Sequence, residues 1–307
     1  EHITNIPQIG CPTYGLMVDL IDFEKDFFKK HAYLTVSSQL QLEALCAGLG
    51  SVYTTNKSFR SEKSKTSRHQ AEFIHIEWEL AFINLKDLMD FSEDLITYSI
   101  SNLLKESKDD LELLDSYVAN GLIAKLESFI KERFGRITYD EAIEIITEQK
   151  DNVLEKFNEL TEIPKWGDDL GSYCERYLTE EIFKKPIFVF NYPRKLKSFY
   201  MKQNDPYEVN GEIRQTVQGC DLLLPFLGEL IGSSIREENY DKLVKDMEDR
   251  KMDKTSLEWY IELRKDGTFP HGGAGLGFDR FVSVVTSMGG NIRDAIPFPT
   301  AYEECPY

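Results

Sequence analysis

Arg60, Glu62, Arg68, His69 and Phe73 crowd into one stretch, FRSEKSKTSRHQAEFIHIEWEL, residues 59–80. The planar fork of Arg60 can clamp a carboxylate or an α-phosphate through parallel hydrogen bonds. Glu62 can accept from an exocyclic amine. Arg68 and His69 can reach terminal phosphates, and Phe73 can cover one face of a base. These side chains need a scaffold with two unlike faces. From Glu72 onward the sequence supplies one, because Ile74, Ile76 and Trp78 alternate with Phe73, His75, Glu77 and Glu79. Period-two alternation is the mark of a strand. The arms 52–62 and 71–82 are expected to pair as a hairpin, with Arg60 and Glu62 on one face and a donor-rich tip between them. A surface hairpin with solvated charges is the plain alternative.

Two further sets carry chemistry. Gly272, Gly273, Gly275 and Gly277 precede Phe278, Asp279 and Arg280. This is neither a dinucleotide fingerprint nor a P-loop: Phe278 stands where a third glycine is needed, and no Gly-Lys-Ser/Thr follows. Alternating glycines in a strand instead leave bare backbone for a flat object. Arg280 can stack on that object or meet phosphate; a bulged strand packed against a helix is the competing reading. Asp221 and Glu229 fall on what read as adjacent strands. Paired carboxylates suit Mg²⁺, which completes its shell with water and substrate phosphate, although a solvated or salt-bridged surface pair would look the same. Together the three sets describe an ATP site without a P-loop.

The chain has 307 residues, 41% of them hydrophobic, enough for a sizeable core. A net charge of −17 argues against a general nucleic-acid coat or a binder of anionic membranes. No apolar run approaches the ~20 residues of a membrane span, and no secretory signal is visible. Five scattered cysteines without a CxxC pattern argue against a zinc site or disulfide framework. They point to free thiols and a cytoplasmic setting.

A short strand is expected at 33–37 and an amphipathic helix at 39–49. Residues 84–134 read as two helical segments joined near Lys108–Asp110. Tyr139–Glu148 reads as a helix capped by Thr138 or Asp140, and 187–201 as strand, turn, strand. Two strands follow around Asp221 and Glu229. A helix after Ser234 has that serine as cap and Glu237 as its capping-box partner. Strands with inserted helices and no strict βαβ alternation indicate an antiparallel α+β fold, with no linker that splits residues 1–307.

These residues resemble class II aminoacyl-tRNA synthetases. FRSEKSKTSRHQAEF is similar to their motif 2 and HGGAGLGFDR to their motif 3. Within the class the chain looks most like bacterial-type asparaginyl enzymes, through KDFFKKHAYLTVSSQLQLEAL, RYLTEEIFKKPIFVFNYPRKLKSFYM, GELIGSSIREE and NIRDAIPFP. The resemblance covers nearly the whole chain and is weakest at about 107–135 and 203–216. It implies a six- to seven-stranded antiparallel sheet flanked by helices, a homodimer, and ATP, Mg²⁺, L-asparagine and tRNA(Asn) as ligands, with no membrane or DNA partner.

By the same resemblance Arg60 holds the α-phosphate and the amino-acid carboxylate, and Glu62 and Phe73 hold adenine with Arg280 stacked opposite. Arg68 and His69 meet the outer phosphates, Gly275 and Gly277 flank the nucleotide, and Asp221 and Glu229 hold Mg²⁺. Arg60, Arg280 and Glu229 carry the catalysis. Ser37, Gln39, Glu43, Arg236 and Gly273 join Arg60 around the amino acid. Aspartyl enzymes place a lysine in a Gln-Leu-x-Lys pattern to meet a carboxylate. Here the run is Gln39-Leu40-Gln41-Leu42-Glu43. Glu43 with Arg236 offers one acceptor and one donor, which fits an amide better than an acid.

The chain departs from the pattern in places. The family's N-terminal oligonucleotide-binding domain, which reads the anticodon, is not represented. Only IPQI around Pro7 remains of the first motif, Pro12 stands where the family has an amino-group-binding Glu, and Thr300 replaces an Arg. Two other readings stay open: a paralogue that makes asparagine from aspartate, ATP and ammonia, and a silent synthetase-like interaction module.

Overall fold

The computed structural model describes residues 22–305 apart from Asp26, His31 and Lys65. Pro7 and Pro12 therefore lie outside the described residues. In chain order the principal elements begin with helix α1 (Gln39–Leu49), strands β1 (Ser51–Phe59) and β2 (Glu72–Ala81), and helices α2 (Leu85–Glu106), α3 (Lys108–Tyr117) and α4 (Leu122–Ile130). Next come β3 (Gly135–Thr138), α5 (Tyr139–Glu148), α6 (Lys150–Lys156), α7 (Gly171–Tyr177), β4 (Ile187–Phe190), β5 (Tyr207–Val209) and β6 (Glu212–Arg214). The chain finishes with β7 (Gly219–Leu224), β8 (Gly228–Ile235), α8 (Tyr240–Asp249), α9 (Glu258–Lys265), β9 (His271–Gly277) and α10 (Phe278–Ser287).

Seven strands form one sheet in the order β1-β2-β9-β8-β7-β4-β3, and β5 and β6 pair separately. The pairings of the large sheet are antiparallel except β3 with β4, which is parallel. An antiparallel α+β fold is thus borne out, with one parallel edge pair. The β3 strand, four residues between two helices, carries too short a pattern to be read from sequence.

Local chemistry explains the helix starts. Asn84 and Asp87 form a capping box at α2, and Thr138 and Glu141 form one at α5. Along α2, Leu88, Ser92, Ile96 and Ile100 recur every four residues and are buried. The three apolar ones, Leu88, Ile96 and Ile100, join Trp78, Phe188, Leu222 and Ile231 in the main core. A second core forms where α5, α6 and α7 cover Ile187 and Val189 of β4. A third, smaller cluster ties Leu243, Met247, Tyr260 and Ile261 to Leu40.

The structure corrects several expectations. Residues 33–37 form no strand: a single bond, Phe59 N–H to Thr35 O (2.9 Å), ties them to β1, and Tyr33 and Val36 are exposed. The helical stretch after residue 84 divides into three helices, because the chain breaks at Ser107 and again around Gly121. Residues 187–201 contain one strand, not two; after Phe190 a short 3₁₀ turn at Arg194–Leu196 takes over. Ser234 caps nothing. It sits inside β8, and Asn239 caps α8 by accepting from Lys242 N–H (2.9 Å). The hairpin forms, but β1 ends at Phe59, so Arg60 and Glu62 leave the ladder after one bond, Arg60 N–H to Ala71 O (2.9 Å). No helix among the described residues is long and apolar enough to cross a membrane.

Two glycines make opposite predictions. A Cβ on Gly273 would meet Glu79 Oε2 at 1.9 Å and the Trp78 carbonyl oxygen at 2.3 Å. Backbone cannot swing away, so Gly273→Ala is expected to destabilise the protein by about 1–3 kcal/mol or more in urea unfolding. Gly48, in α1, has nothing within 4 Å of a Cβ. Gly48→Ala is expected to stabilise by roughly 0.5–1 kcal/mol through helix propensity. Equal effects at the two positions would contradict the packing described.

Candidate active site

A cavity of about 820 Å³ opens on the face of the sheet made by β2, β9 and β8. Ser37, Gln39, Arg60, Glu62, Arg68 and His69 line it, as do Phe73, Asp221, Glu229, Arg236, Gly275, Gly277 and Arg280. Residues spread over 244 positions of sequence (Ser37 to Arg280) therefore meet in one place. Two sequence-derived candidates lie behind the wall: Glu43, whose side chain is fully buried, and Gly273, whose bare backbone makes room for the Glu79 carboxylate. Of the acceptor and donor expected to face the ligand's amide, Arg236 lines the cavity and Glu43 does not. Their closest approach is 3.8 Å, while Arg236 forms a two-pronged pair with Glu79 at 3.0 and 2.9 Å.

The glycine strand works differently from a bare platform. A Cβ on Gly275 would meet the His75 ring at 2.3 Å, so the strand opens space for side chains of β2. The antiparallel register explains this, since Glu77 stands opposite Gly275 and Glu79 opposite Gly273. The side chains of Phe73, His75, Glu77 and Glu79 then face the cavity region while Ile76 and Leu80 pack against the core.

One end of the cavity is rich in positive charge. The Arg60 guanidinium lies 5.2 Å from the centroid of the Phe73 ring. Arg68 bonds Glu175 of α7 at 2.6 Å; burial works against its charge, and Glu175 with Glu229 and Asp169 more than offsets this. Arg280 donates to the Glu229 carbonyl at 2.7 Å, with its guanidinium 3.9 Å from the Glu229 carboxylate. Burial, helped by nearby Arg280, lowers the pKa of His69, which leaves its ring neutral at pH 7. Its Nε2 lies 3.6 Å from Glu62.

Asp221 on β7 and Glu229 on β8 converge as expected. Both carboxylates approach one point, the Cβ position of Gly232, at 3.8 and 2.9 Å. Burial pushes Asp221 up to about 6 even though the Lys197 amine sits 2.5 Å away. The setting of Glu229 would raise its pKa too, but Arg280, Lys197, Arg68 and Arg60 bring it below the ordinary carboxylate value. Two hard oxygen donors beside three arginines fit a cation that also takes phosphate oxygens.

Sequence reasoning missed three residues here. Lys197 and Glu175 pair with Asp221 and Arg68 across separate elements, and no local pattern announces either. Glu77 is the third. Its carboxylate accepts from Ser38 N–H (2.8 Å) and from the Ser37 hydroxyl, supplying the negative charge that α1 lacks in its own first turn. It therefore sets where Ser37 and Gln39 sit. Its place in the alternating polar face of β2 was the one legible signal.

Comparison with known proteins agrees with this geometry. The chain is 46% identical over 299 residues to an asparagine–tRNA ligase of Azobacteroides pseudotrichonymphae, covering 97% of this chain and 61% of that protein. It is 45% identical over 279 residues to the corresponding ligase of Borrelia garinii, covering 91% and 57%. The chain thus spans about three-fifths of the length of these relatives. Among solved structures it superposes on asparaginyl-tRNA synthetase from Pyrococcus horikoshii complexed with asparaginyl-adenylate, with a TM-score of 0.76 and 40% identity over 90% of this chain and 58% of that one. The Entamoeba histolytica asparaginyl-tRNA synthetase, also in complex with asparaginyl-adenylate, gives 0.74 and 34%, over 89% and 57%. An aspartyl-tRNA synthetase from the same organism, at 23% identity and a TM-score of 0.70, shares the fold. The family model for class II tRNA synthetases of the D, K and N group matches residues 18–302, and the chain belongs to that family.

Proposed function

We propose that the chain carries the catalytic unit of an asparagine–tRNA ligase, which joins L-asparagine to ATP as asparaginyl-adenylate and passes it to tRNA(Asn). The observation that carries this reading is the single cavity with arginines and paired carboxylates at one end and Gln39 with Arg236 at the other. The family membership supports it, as do two related structures that hold asparaginyl-adenylate.

In the reaction the asparagine carboxylate attacks the α-phosphorus in line, a P–O bond forms, and pyrophosphate leaves with its bonding electrons. No general base is needed, because the nucleophile is already an anion. Arg60 and Arg280 stabilise charge on the equatorial oxygens as it develops, and fixed placement of the two reactants supplies the rest. Asp221 and Glu229 are the residues that would hold Mg²⁺, whose charge would offset that of the phosphates. Arg68 and His69 are assigned to the outer phosphates, Phe73 and Glu62 to the adenine, and Gly275 and Gly277 to the nucleotide's flank. Ser37, Gln39 and Arg236 are assigned to the amino acid. The tRNA 3′-terminal hydroxyl then attacks the acyl carbon and releases AMP.

The family resemblance supports a homodimer working in the cytoplasm. Leu45, Leu49 and Tyr53, exposed on α1 and the edge strand β1, favour a pairing surface there.

ATP–pyrophosphate exchange is expected with asparagine and not with aspartate. Exchange with aspartate alone would move the assignment to an aspartyl enzyme or an asparagine-forming paralogue. Arg60→Ala and Arg280→Ala are each expected to lower kcat for exchange by about 10²–10³-fold or more, because each removes a preorganised charge. Near-normal activity in either variant would refute the site. Chelation with EDTA is expected to stop exchange and added Mg²⁺ to restore it. Glu229→Gln is expected to raise the Mg²⁺ concentration needed for half-maximal rate, and an unchanged Mg²⁺ dependence would remove Glu229 from that role.

A further inference from the structure

A second layer of charge stands behind the amino-acid end of the cavity, on an element that contributes nothing to the cavity wall. Tyr260 and Arg264 lie on α9, and both are buried. The Tyr260 hydroxyl donates to Glu43 Oε2 at 2.8 Å, Arg264 Nη2 donates to the same oxygen, and His271 Nε2 is 3.3 Å from it. Arg264 is itself locked, by Nε to the Glu237 carbonyl at 3.1 Å and Nη2 to the Tyr260 hydroxyl at 2.9 Å. Glu43 Oε2 is therefore saturated from behind. Its other oxygen, Oε1, accepts from Gln39 Nε2 at 3.1 Å and lies 3.8 Å from Arg236 Nε. Gln39 and Arg236 both line the cavity.

This arrangement fixes the orientation of the Gln39 amide. A carboxylate only accepts, so the nitrogen of Gln39 must face Glu43 and its carbonyl oxygen is left for the cavity. A protonated Glu43 would present a hydroxyl and could tolerate either orientation. We propose that Arg264 and Tyr260 are positioning residues for asparagine: they hold Glu43 as a one-sided acceptor, and Glu43 in turn orients Gln39 in the amino-acid pocket. The inference rests on the proposed function, since it concerns how that pocket takes asparagine.

Electrostatics supports the same chain of contacts. Burial alone would raise the Glu43 pKa, but the His271 hydrogen bond and the Arg236 and Arg264 guanidiniums outweigh it and bring it down to about 2. The charged and titratable groups facing Glu43 are Arg264 and Tyr260 from α9, His271 from β9, Arg236 just after β8 and Glu79 from β2, with Cys46 on its own helix. Glu79 repels and the guanidiniums attract. With the folded pKa depressed, Glu43 stays ionised over the working pH range, so it adds no pH dependence to asparagine binding. Removal of Arg264 raises that pKa and takes a donor from Glu43 Oε2, which loosens the hold of Glu43 on the Gln39 amide.

The test measures ATP–pyrophosphate exchange in the full-length protein. Wild type is compared with Arg264→Met, Arg264→Lys and Tyr260→Phe. Loss of a buried hydrogen bond to a charged group predicts a rise in KM for asparagine of about 10- to 100-fold in Arg264→Met, with kcat and the KM for ATP little changed. Arg264→Lys is expected to recover part of that rise. Tyr260→Phe is expected to raise the asparagine KM in the same direction and by less. Should Arg264→Met not fold, Tyr260→Phe decides: an asparagine KM equal to that of wild type overturns the inference. So does a parallel rise in the KM values for asparagine and ATP, which marks general structural damage. Wild type inactive with asparagine overturns the proposed function and this inference with it. Wild type active and variants unchanged overturn the inference alone.

Discussion

The buried pair between Arg236 and Glu79 is the contact on which the site depends. Arg236 directly follows β8 and Glu79 lies on β2; the two strands are not neighbours, and β9 runs between them. They meet only because Gly273 of β9 has no side chain to separate them. Breaking such a pair by removing one partner commonly costs about 3–5 kcal/mol, since the survivor is left charged and buried. Replacing both with apolar groups can cost little, so stability alone does not explain the pair. Its geometry does: it aims Arg236 into the cavity and, through the 3.8 Å approach to Glu43, joins the amino-acid end to the charges behind it.

The opposite end of the cavity obeys a related constraint. Arg60, Arg68 and Arg280 would repel one another in a small space, and carboxylates keep them there. Glu175 faces Arg68, and Glu229 lies among Arg280, Lys197 and Arg68. Lys197 against Asp221 extends the alternation of sign to the far wall. A triphosphate brings several negative charges, which such a lattice can accept by exchanging partners. On the proposed function, the cavity thus combines a fixed end for the amino acid with an end whose ion pairs can rearrange around phosphate.

Much of this was legible in the sequence for a physical reason. The glycine strand, the alternating β2 arm and the strands bearing Asp221 and Glu229 are local patterns, and the local pattern sets the face on which each residue falls. Residues on those faces met in one cavity. What the sequence hid was pairing across elements. Lys197, Glu175, Tyr260 and Arg264 each sit in unremarkable local contexts and gain their roles from strand order and helix packing. The same cause explains the failures at 33–37 and 187–201, where strand-forming side chains lack a neighbouring strand to pair with. It also explains Glu43, which sequence placed against the ligand and the structure places behind Gln39.

The most direct test of the account is a crystal structure of the protein with a non-hydrolysable sulfamoyl analogue of asparaginyl-adenylate. The account predicts the asparagine side chain at the Gln39 and Arg236 end, the sulfamoyl group within hydrogen-bond reach of Arg60, and the adenine between Phe73 and Arg280. An analogue bound in the reverse direction, or outside the cavity between β2 and β8, would contradict it.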